Sequence, residues 1–207
     1  MREKRWYPVF YMFIVTAFFS SVVIGISQLT SERVAANKMR AFEQAVLSVI
    51  PGMFDPAAGD MELHRRFTET LDEPDEFSAG AYTQKKDDRV TAYALPISGR
   101  GFWAPIKGVI GIAADKRTVN GIAFYEQNET PGLGAEIATA RFCGRFQSKV
   151  ISMGDKPIDI IRSGQAEGQS DVFAVTGATQ TCDRLENIIN DELRNWLANM
   201  DAGEDRK

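Results

Sequence analysis

An uncharged apolar segment opens the chain, and short apolar runs alternating with polar stretches follow it. No charged residue occurs from Tyr7 to Leu29, and Val, Ile and Phe are frequent there. A helix of that length can cross a hydrocarbon core of about 30 Å. Three basic residues precede the segment, whereas Glu32 and Arg33 cancel each other after it. The positive-inside rule therefore predicts a single transmembrane helix, a cytoplasmic N-terminus and an exported domain from residue 31 onward.

A cleaved signal peptide is the alternative interpretation of this segment. The apolar run is long for a signal peptide, and no clear small-x-small cleavage site ends it, although residues 24–27 are not wholly unfavourable. Both interpretations place the rest of the chain outside the cytoplasm.

Residues 31–50 keep an approximate helical spacing of apolar positions, and Pro51-Gly52 ends the predicted helix. This helix is either a stalk leading from the membrane or a helix packed on the domain. Residues 55–78 are polar and predict a short helix within loops. We interpret His64 as a solvated helical residue, because its neighbours supply no partner for acid–base chemistry.

Strand patterns begin near Ala81 and continue to about residue 126. Val90–Ile97 alternates in part between apolar and polar positions, and Ser98–Gly101 has the composition of a turn. Gly108–Ala114 and Thr118–Glu126 predict two further strands joined by a hairpin connection.

The last helix has the clearest pattern of the chain, and a short strand predicted over Asp171–Val175 precedes it. Apolar residues recur at three- and four-residue steps along one face of this helix, namely Leu185, Ile188, Ile189, Leu193, Trp196 and Leu197. The predicted fold class is α+β, with a mostly antiparallel sheet flanked by helices. The expected boundaries are 1–30 for the cytoplasmic tip and anchor, 31–80 for a stalk or N-terminal helical region, 81–200 for the main domain and 201–207 for a polar tail.

Composition excludes several functional classes. A net charge of -4 and an isoelectric point near 5.2 leave no basic excess to neutralise the phosphates of a nucleic acid. One histidine and two cysteines without a Cys-x-x-Cys pair predict no metal site. We expect Cys143 and Cys182 to be small buried or half-exposed side chains, with a disulfide as the alternative in an oxidising compartment. No paired carboxylates, Ser-His-Asp set or Cys-His pair suggests a hydrolase.

The tetrapeptide Thr176-Gly177-Ala178-Thr179 lies directly before the last helix. Its small residues let the backbone turn sharply and approach a ligand closely. Thr179 or Thr181 can cap the helix, whose first-turn N–H groups and dipole favour a phosphate. A threonine hydroxyl at this position is well placed to carry a phosphodiester, and a simple strand–turn–helix cap is the alternative interpretation of so short a pattern.

A second unusual stretch, Glu129-Thr130-Pro131-Gly132-Leu133-Gly134, lies upstream. Pro131 fixes one φ angle, while Gly132 and Gly134 allow conformations closed to other residues. Glu129 and Thr130 offer a carboxylate, a hydroxyl and backbone N–H groups, and Leu133 can lie flat against an aromatic ring system. The stretch is therefore a rigid turn that can also serve as a ligand-binding shelf.

Together with the apolar segment, these two motifs resemble one family, the membrane-anchored FMN-binding subunits of bacterial respiratory complexes. The family includes the C subunit of the sodium-translocating NADH:quinone reductase and the G subunit of the Rnf complex. Gly121–Glu136 is similar to the family's most recognisable segment, and Gly99–Trp103 followed by Gly108 is similar to a Trp-containing segment of the quinone-reductase member. The resemblance covers the anchor and about residues 95–190.

The resemblance implies that the main domain, residues 81–200, binds FMN covalently, with the FMN phosphate joined to Thr179 by a phosphoester. Thr176, Gly177 and Ala178 would hold the phosphate end of the cofactor. The shelf would contact the isoalloxazine ring through Glu129, Thr130, Gly132, Leu133 and Gly134. Trp103 is a candidate ring neighbour, with a buried core tryptophan as the alternative.

The implied function is that of an electron-carrier subunit in an ion-translocating respiratory complex of the bacterial inner membrane, with its main domain in the periplasm or outside the cell. Its partners would be the other membrane subunits and a flavin transferase. A stand-alone flavinylated carrier and a non-redox assembly module are the alternatives. The chain length is typical of the Rnf member of the family, whereas the surroundings of Trp103 are typical of the quinone-reductase member.

Two positions depart from the family pattern. Phe173 stands where members often carry an acidic residue three positions before the Thr-Gly-Ala-Thr unit, and the nearest acid is Asp171. If the flavin transferase needs that carboxylate, attachment at Thr179 would be slow or would depend on a variant transferase. Gln127 replaces a histidine that often precedes the shelf, which would change ring contacts or redox potential without preventing binding.

Overall fold

The computed structural model describes residues 6–162 and 168–204, and the chain forms two units that divide between Met39 and Arg40. Helix α1 spans Trp6–Val49, and nearly all of its apolar residues in the first unit are exposed. This helix is long and apolar enough to cross a membrane, which confirms the predicted N-terminal apolar helix. A signal sequence has the same features, so the choice between anchor and signal peptide stays a prediction.

A five-stranded antiparallel sheet with strand order β1-β2-β3-β4-β5 forms the centre of the second unit. Its strands are β1 (Leu71–Asp72), β2 (Tyr82–Lys86), β3 (Arg89–Arg100), β4 (Pro105–Ala113) and β5 (Val119–Glu126). Because each strand follows its neighbour in sequence, short turns suffice to connect β2 to β5. The predicted α+β class with an antiparallel sheet is confirmed.

The predicted turn at Ser98–Gly101 is wrong. Ser98, Gly99 and Arg100 belong to β3 and pair with Lys107, Ile106 and Pro105 of β4. The chain reverses three residues later, where the Gly101 N–H donates to the Ala104 carbonyl at 2.9 Å.

One face of the sheet packs against helix α4 (Thr179–Glu204), whose apolar side chains enter the main core. The predicted stripe along this helix is confirmed, since its residues from Leu185 to Trp196 are buried and Leu197 is half-buried. Trp196 stacks edge-on against Tyr93 of β3 with 5.2 Å between ring centroids, and its Nε1 donates to the Ser78 carbonyl at 3.0 Å. These contacts fix the helix on the sheet.

The other face is covered by the last turns of α1 and by helix α2 (Asp60–Thr70). Val46, Leu47 and Ile50 are buried there with β-strand residues such as Val109. Residues 40–50 are therefore packed on the domain rather than extended as a stalk, and the short helix expected within 55–78 is confirmed. The functional boundary at residue 81 stays a prediction.

His64 is an exposed helical residue, as predicted, but the expectation that no partner lies nearby is wrong. Its Nδ1 lies 2.8 Å from Oε1 of Glu43, a buried carboxylate of α1 that is distant in sequence. His64 itself remains largely exposed.

The segment after β5 forms short elements: a 3-10 helix at Gly134–Ala138, helix α3 (Ala140–Cys143) and a second 3-10 helix at Gly144–Phe146. Two short strands follow, β6 (Asp159–Ile161) and β7 (Asp171–Phe173), which pair in parallel. The predicted strand over Asp171–Val175 is thus present but ends two residues earlier, and β6 was not predicted. Cys143 is half-buried, Cys182 is buried, and both thiols are free.

Candidate functional site

The loop between β7 and α4 presents a hydroxyl at the start of a helix. The Ala178 N–H donates to the Val175 carbonyl at 3.2 Å, and the Ala178 carbonyl accepts the first helical bond from Cys182 N–H at 3.0 Å. Gly177 adopts a φ of 82°, a left-handed conformation that favours glycine. Thr179, the first residue of α4, is exposed, so its side chain lies beside unpaired first-turn N–H groups.

The cysteine in this first turn of α4, Cys182, is a buried thiol. Burial raises the pKa of the Cys182 thiol, which keeps it protonated at neutral pH. Its sulfur accepts a hydrogen bond from the Val175 N–H at 3.4 Å and helps to hold the loop against the helix.

The second motif forms a tight turn, and the side chain of its Leu133 reaches the first motif. The N–H groups of Leu133 and Ala135 both donate to the Thr130 carbonyl at 3.1 Å, and Gly132 adopts a φ of 73°. Leu133 is 43% exposed, and its Cδ2 would lie only 3.2 Å from a Cβ placed on Gly177. The two motifs, more than forty residues apart in sequence, are therefore in contact.

The β3–β4 turn places two aromatic side chains beside the second motif. Trp103 is 69% exposed, so the alternative of a buried core tryptophan is wrong. Its Nε1 donates to Thr130 Oγ1 at 3.1 Å, and its ring packs edge-on against Phe102 with 4.9 Å between centroids. An exposed apolar surface thus adjoins the turn that carries Leu133.

Glu129 is buried beneath this surface and is only 5% exposed. Its Oε1 accepts hydrogen bonds from the N–H groups of Phe102 at 2.9 Å and Trp103 at 3.1 Å. Its Oε2 accepts a hydrogen bond from Thr181 Oγ1 at 2.8 Å. The expected capping role of Thr181 is therefore replaced by a bond to Glu129.

Two adjoining clefts border the loop before α4. The smaller, of about 270 Å³, is lined by Thr179 together with Arg162 and Asp183. The larger, of about 610 Å³, is lined by Gly132 and by two further arginines, Arg141 and Arg145. Residues 174–176 line both clefts.

Arg145 fixes the strand that leads into the loop. Its Nη1 donates to the carbonyls of Phe173 at 2.6 Å and Ala174 at 3.1 Å, and its guanidinium lies 5.7 Å from the centroid of the Phe142 ring. Phe173 itself lines the larger cleft. Sequence reasoning did not find the arginines of this region, because each is isolated in the sequence and belongs to no motif.

Within residues 6–162 and 168–204, no group of three or more His, Cys, Asp or Glu side chains could hold a metal ion. The described site presents hydroxyls, guanidinium groups, backbone N–H groups and exposed apolar side chains to a ligand.

The surroundings of both motifs match a known family model. Residues 101–194 match the FMN-binding domain family. The C subunit of the Na(+)-translocating NADH-quinone reductase of Pasteurella multocida is 32% identical over 128 residues, covering 60% of this chain and 48% of that protein. The same subunit of Vibrio campbellii is 33% identical over 128 residues, covering 59% of this chain and 46% of that protein. The chain thus spans about half the length of these curated relatives.

Solved structures share the fold. The crystal structure of the C subunit of the Na(+)-translocating NADH-quinone reductase from Parabacteroides distasonis superposes with a TM-score of 0.64 at 23% identity, covering 79% of this chain and 92% of that one. NqrC of Shewanella oneidensis superposes with a TM-score of 0.65 at 18% identity, covering 81% and 99% respectively. Residues 101–194, which contain both motifs, therefore match the FMN-binding domain family, and the solved structures share the fold of this chain.

Proposed function

We propose that this chain is a membrane-anchored electron-transfer subunit that carries FMN through a phosphoester to Thr179. It would relay electrons within an ion-translocating respiratory complex. The observation that carries the proposal is the position of Thr179, an exposed hydroxyl on the first residue of α4 in contact with a cleft.

The phosphate end of FMN fits this position. A phosphate diester is anionic, and the first turn of a helix combines unpaired N–H donors with the positive end of the helix dipole. Arg162 lines the same cleft as Thr179 and adds a guanidinium group. Thr176 and Gly177 line this cleft as well, so the backbone can approach the ligand closely where Gly177 turns.

The ring end of FMN fits the apolar surface beside the loop. Leu133 lies against Gly177, and Trp103 is hydrogen-bonded to the neighbouring Thr130. Both side chains are exposed and would bury apolar area against an aromatic ring. The buried Glu129 accepts hydrogen bonds from the backbone beneath this apolar surface. Gly132 and Gly134 allow the conformation of the turn.

When bound, FMN supplies the oxidation–reduction chemistry, and the protein supplies binding, orientation and electrostatics. Thr179 Oγ1 would form a bond to the flavin-side phosphorus of a flavin dinucleotide, the P–O bond of the pyrophosphate would break, and the nucleoside monophosphate would leave while the hydroxyl proton is released. A separate flavin transferase would perform this step. A covalent bond keeps the cofactor in place where a dissociated molecule would be lost by dilution.

The kind of complex is proposed from the names of the relatives, and its membrane location is proposed from helix α1. The matching proteins of Pasteurella and Vibrio are named as subunits of a Na(+)-translocating NADH-quinone reductase, which supports the quinone-reductase type of complex over the Rnf type. Helix α1 would anchor the chain in the inner membrane. The basic N-terminal residues favour a cytoplasmic N-terminus and a main domain on the opposite side.

The attachment is tested on the full chain purified in detergent from a host that supplies the flavin transferase. We expect flavin fluorescence in a denaturing gel and an intact mass raised by one FMN less one water. Thr179→Ala removes both signals, and Thr179→Ser, which keeps a hydroxyl, retains at least part of them.

Thr176→Ala removes the other exposed hydroxyl of the motif. Because Thr176 lines the phosphate cleft, this variant carries less flavin, but what it carries is still covalent and still attached at Thr179 if Thr179 is the attachment point. Flavin that persists in Thr179→Ala, or that is absent from the wild-type protein, would refute the covalent mechanism.

A further inference from the structure

A buried carboxylate links the two sides of the proposed flavin site. Glu129 accepts hydrogen bonds from two backbone N–H groups of the β3–β4 turn and from the Thr181 hydroxyl of α4. We call the four residues Phe102, Trp103, Glu129 and Thr181 the Glu129 bridge. It joins three segments: 26 positions separate Trp103 from Glu129, and 52 separate Glu129 from Thr181.

Both carboxylate oxygens of Glu129 accept hydrogen bonds from protein donors. The residue can therefore position other groups, but it has no oxygen left to bind a ligand directly. Burying a carboxylate is costly unless its oxygens accept hydrogen bonds, and three donors meet that requirement here. With both oxygens bound inside the protein, the carboxylate acts on a ligand through its neighbours. Glu129 is therefore a positioning residue.

Two glycines leave the space that the bridge needs. A Cβ on Gly134 would lie 2.5 Å from Thr181 Oγ1 and 3.0 Å from Glu129 Oε2. A Cβ on Gly101 would lie 2.5 Å from Glu129 Oε1. The second glycine of the shelf motif and the glycine of the β3–β4 turn thus enclose the same carboxylate from two sides.

The bridge ends beside the proposed attachment point. Thr181 is two residues after Thr179 in the first turn of α4, and Trp103 carries the exposed ring at the other end. Thr179 and Thr181 belong to the same turn of α4, whose regular geometry fixes the spacing between them, so the position of Thr181 sets that of Thr179. The spacing between the aromatic turn and Thr179 therefore depends on Glu129.

We propose that Glu129 couples the aromatic β3–β4 turn to the first turn of α4 and so sets the geometry in which the flavin is held. The coupling is a property of the chain itself, whereas its effect on the flavin rests on the proposed function. Removing the Thr181 hydroxyl on α4 must then weaken the hydrogen bonds of the β3–β4 turn, although the two segments are far apart in sequence.

The coupling is measured by hydrogen exchange of the Phe102 and Trp103 amides in the full chain carrying Thr179→Ala, which holds no covalent flavin. Thr181→Val is nearly isosteric and removes the hydroxyl that bonds Glu129. We expect the two amides to exchange at least about tenfold faster in this variant, because the carboxylate loses the donor that fixes its orientation. Thr181→Ser keeps the hydroxyl and restores the slow exchange.

Substitutions of Glu129 itself provide the second set of variants. Glu129→Gln keeps a carbonyl oxygen for the two N–H groups, and the Thr181 hydroxyl can turn to accept from the new amide, so protection is largely retained. Glu129→Ala removes the acceptor, and exchange at both amides rises further. Thr176→Val, on an exposed residue of the same loop, leaves exchange unchanged.

Unchanged exchange of the two amides in Thr181→Val would overturn the proposal, because Glu129 would then serve the β3–β4 turn alone. Equal loss of protection in Thr181→Ser and Thr181→Val would overturn it as well. In the flavin-loaded chain, Thr181→Val lowers flavin fluorescence anisotropy and Thr181→Ser does not. If no flavin is attached at Thr179, the exchange result still decides the coupling, so the two proposals fail separately.

Discussion

Gly111→Ala tests how closely the end of α1 packs on the sheet. Gly111 of β4 faces Val49, and a Cβ on Gly111 would lie 2.2 Å from the Val49 carbonyl oxygen and 2.8 Å from Val49 Cβ. The nearest obstacle is backbone, which cannot turn aside as a flexible side chain can. Overpacking typically costs about 1–3 kcal/mol, and the backbone collision places this variant near about 3 kcal/mol.

The matched control is Gly121→Ala. Gly121 of β5 is the cross-strand partner of Gly111, yet a Cβ there meets nothing within 4 Å. Its φ does not lie in the left-handed region, so alanine fits and reduces the freedom of the unfolded chain. We expect this variant to be unchanged or more stable by about 0.4–1 kcal/mol.

Thermal unfolding of the two full-length variants in the same detergent provides the measurement. For a chain of this size, about 3 kcal/mol corresponds to a midpoint lower by roughly 6–12 °C. Gly111→Ala should show this shift and Gly121→Ala should not. Equal midpoints for the two variants would refute the close packing of Val49 on β4.

Two further predictions follow from the core. Trp196→Phe leaves the buried Ser78 carbonyl without the 3.0 Å bond from Nε1 and should lower the free energy of unfolding by about 1–3 kcal/mol. Trp103→Phe, on an exposed ring, should change it by less than about 0.5 kcal/mol, and urea titrations that gave equal effects would contradict this. Burial raises the pKa of Cys143 from 9.0 to about 11, so at pH 8 its thiolate fraction is about a hundredfold lower than in the unfolded chain. Iodoacetamide should therefore label Cys143 slowly until the pH approaches 11 or the chain is unfolded, and labelling of the native protein at the unfolded rate would disprove the burial.

The elements that could be predicted from the sequence are those with a regular or continuous pattern of buried apolar residues. Helix α4 repeats apolar residues at helical steps because one side of it meets the sheet, and the structure buries those residues. Strands β4 and β5 were found for a similar reason, since long apolar runs bounded by polar turns leave few alternatives.

Gly99 shows why a local pattern can mislead. Its flanking Ser and Arg gave it the composition of a turn, yet it lies within β3 and a Cβ on it would approach Ile188 Cγ1 of α4 to 2.5 Å. Glycine is needed there for close approach rather than for chain reversal. The local composition is the same for these two uses of glycine. They are distinguished only by the residue that packs against the glycine, here Ile188.

Short strand β6 could not be predicted for a different reason. The backbone of Ile158, just before it, bonds to the side chain of Asn190, and the N–H of Ile160 donates to Glu186 at 2.7 Å. Side chains of α4 thus replace part of the hydrogen bonding that a neighbouring strand normally provides. Such a contact leaves no signal in the three residues of the strand.

The candidate site was predicted in part. The two motifs were identified from their small residues and from the family resemblance, and the structure brings them into contact through Leu133 and Gly177. The bond between Thr181 and Glu129 spans 52 positions, and Arg162 reaches the cleft from a separate strand end. Long-range contacts of this kind depend on the tertiary fold and are absent from any local pattern.

Tandem mass spectrometry of the tryptic peptide from residue 163 to Arg184 tests the covalent attachment most directly. The peptide contains five hydroxyl side chains, at Ser163, Ser170, Thr176, Thr179 and Thr181. We predict one FMN phosphoester, carried by the fragment ions that contain Thr179 and by none that end before it. An unmodified peptide from protein made with its flavin transferase, or a flavin on another hydroxyl, would contradict attachment at Thr179.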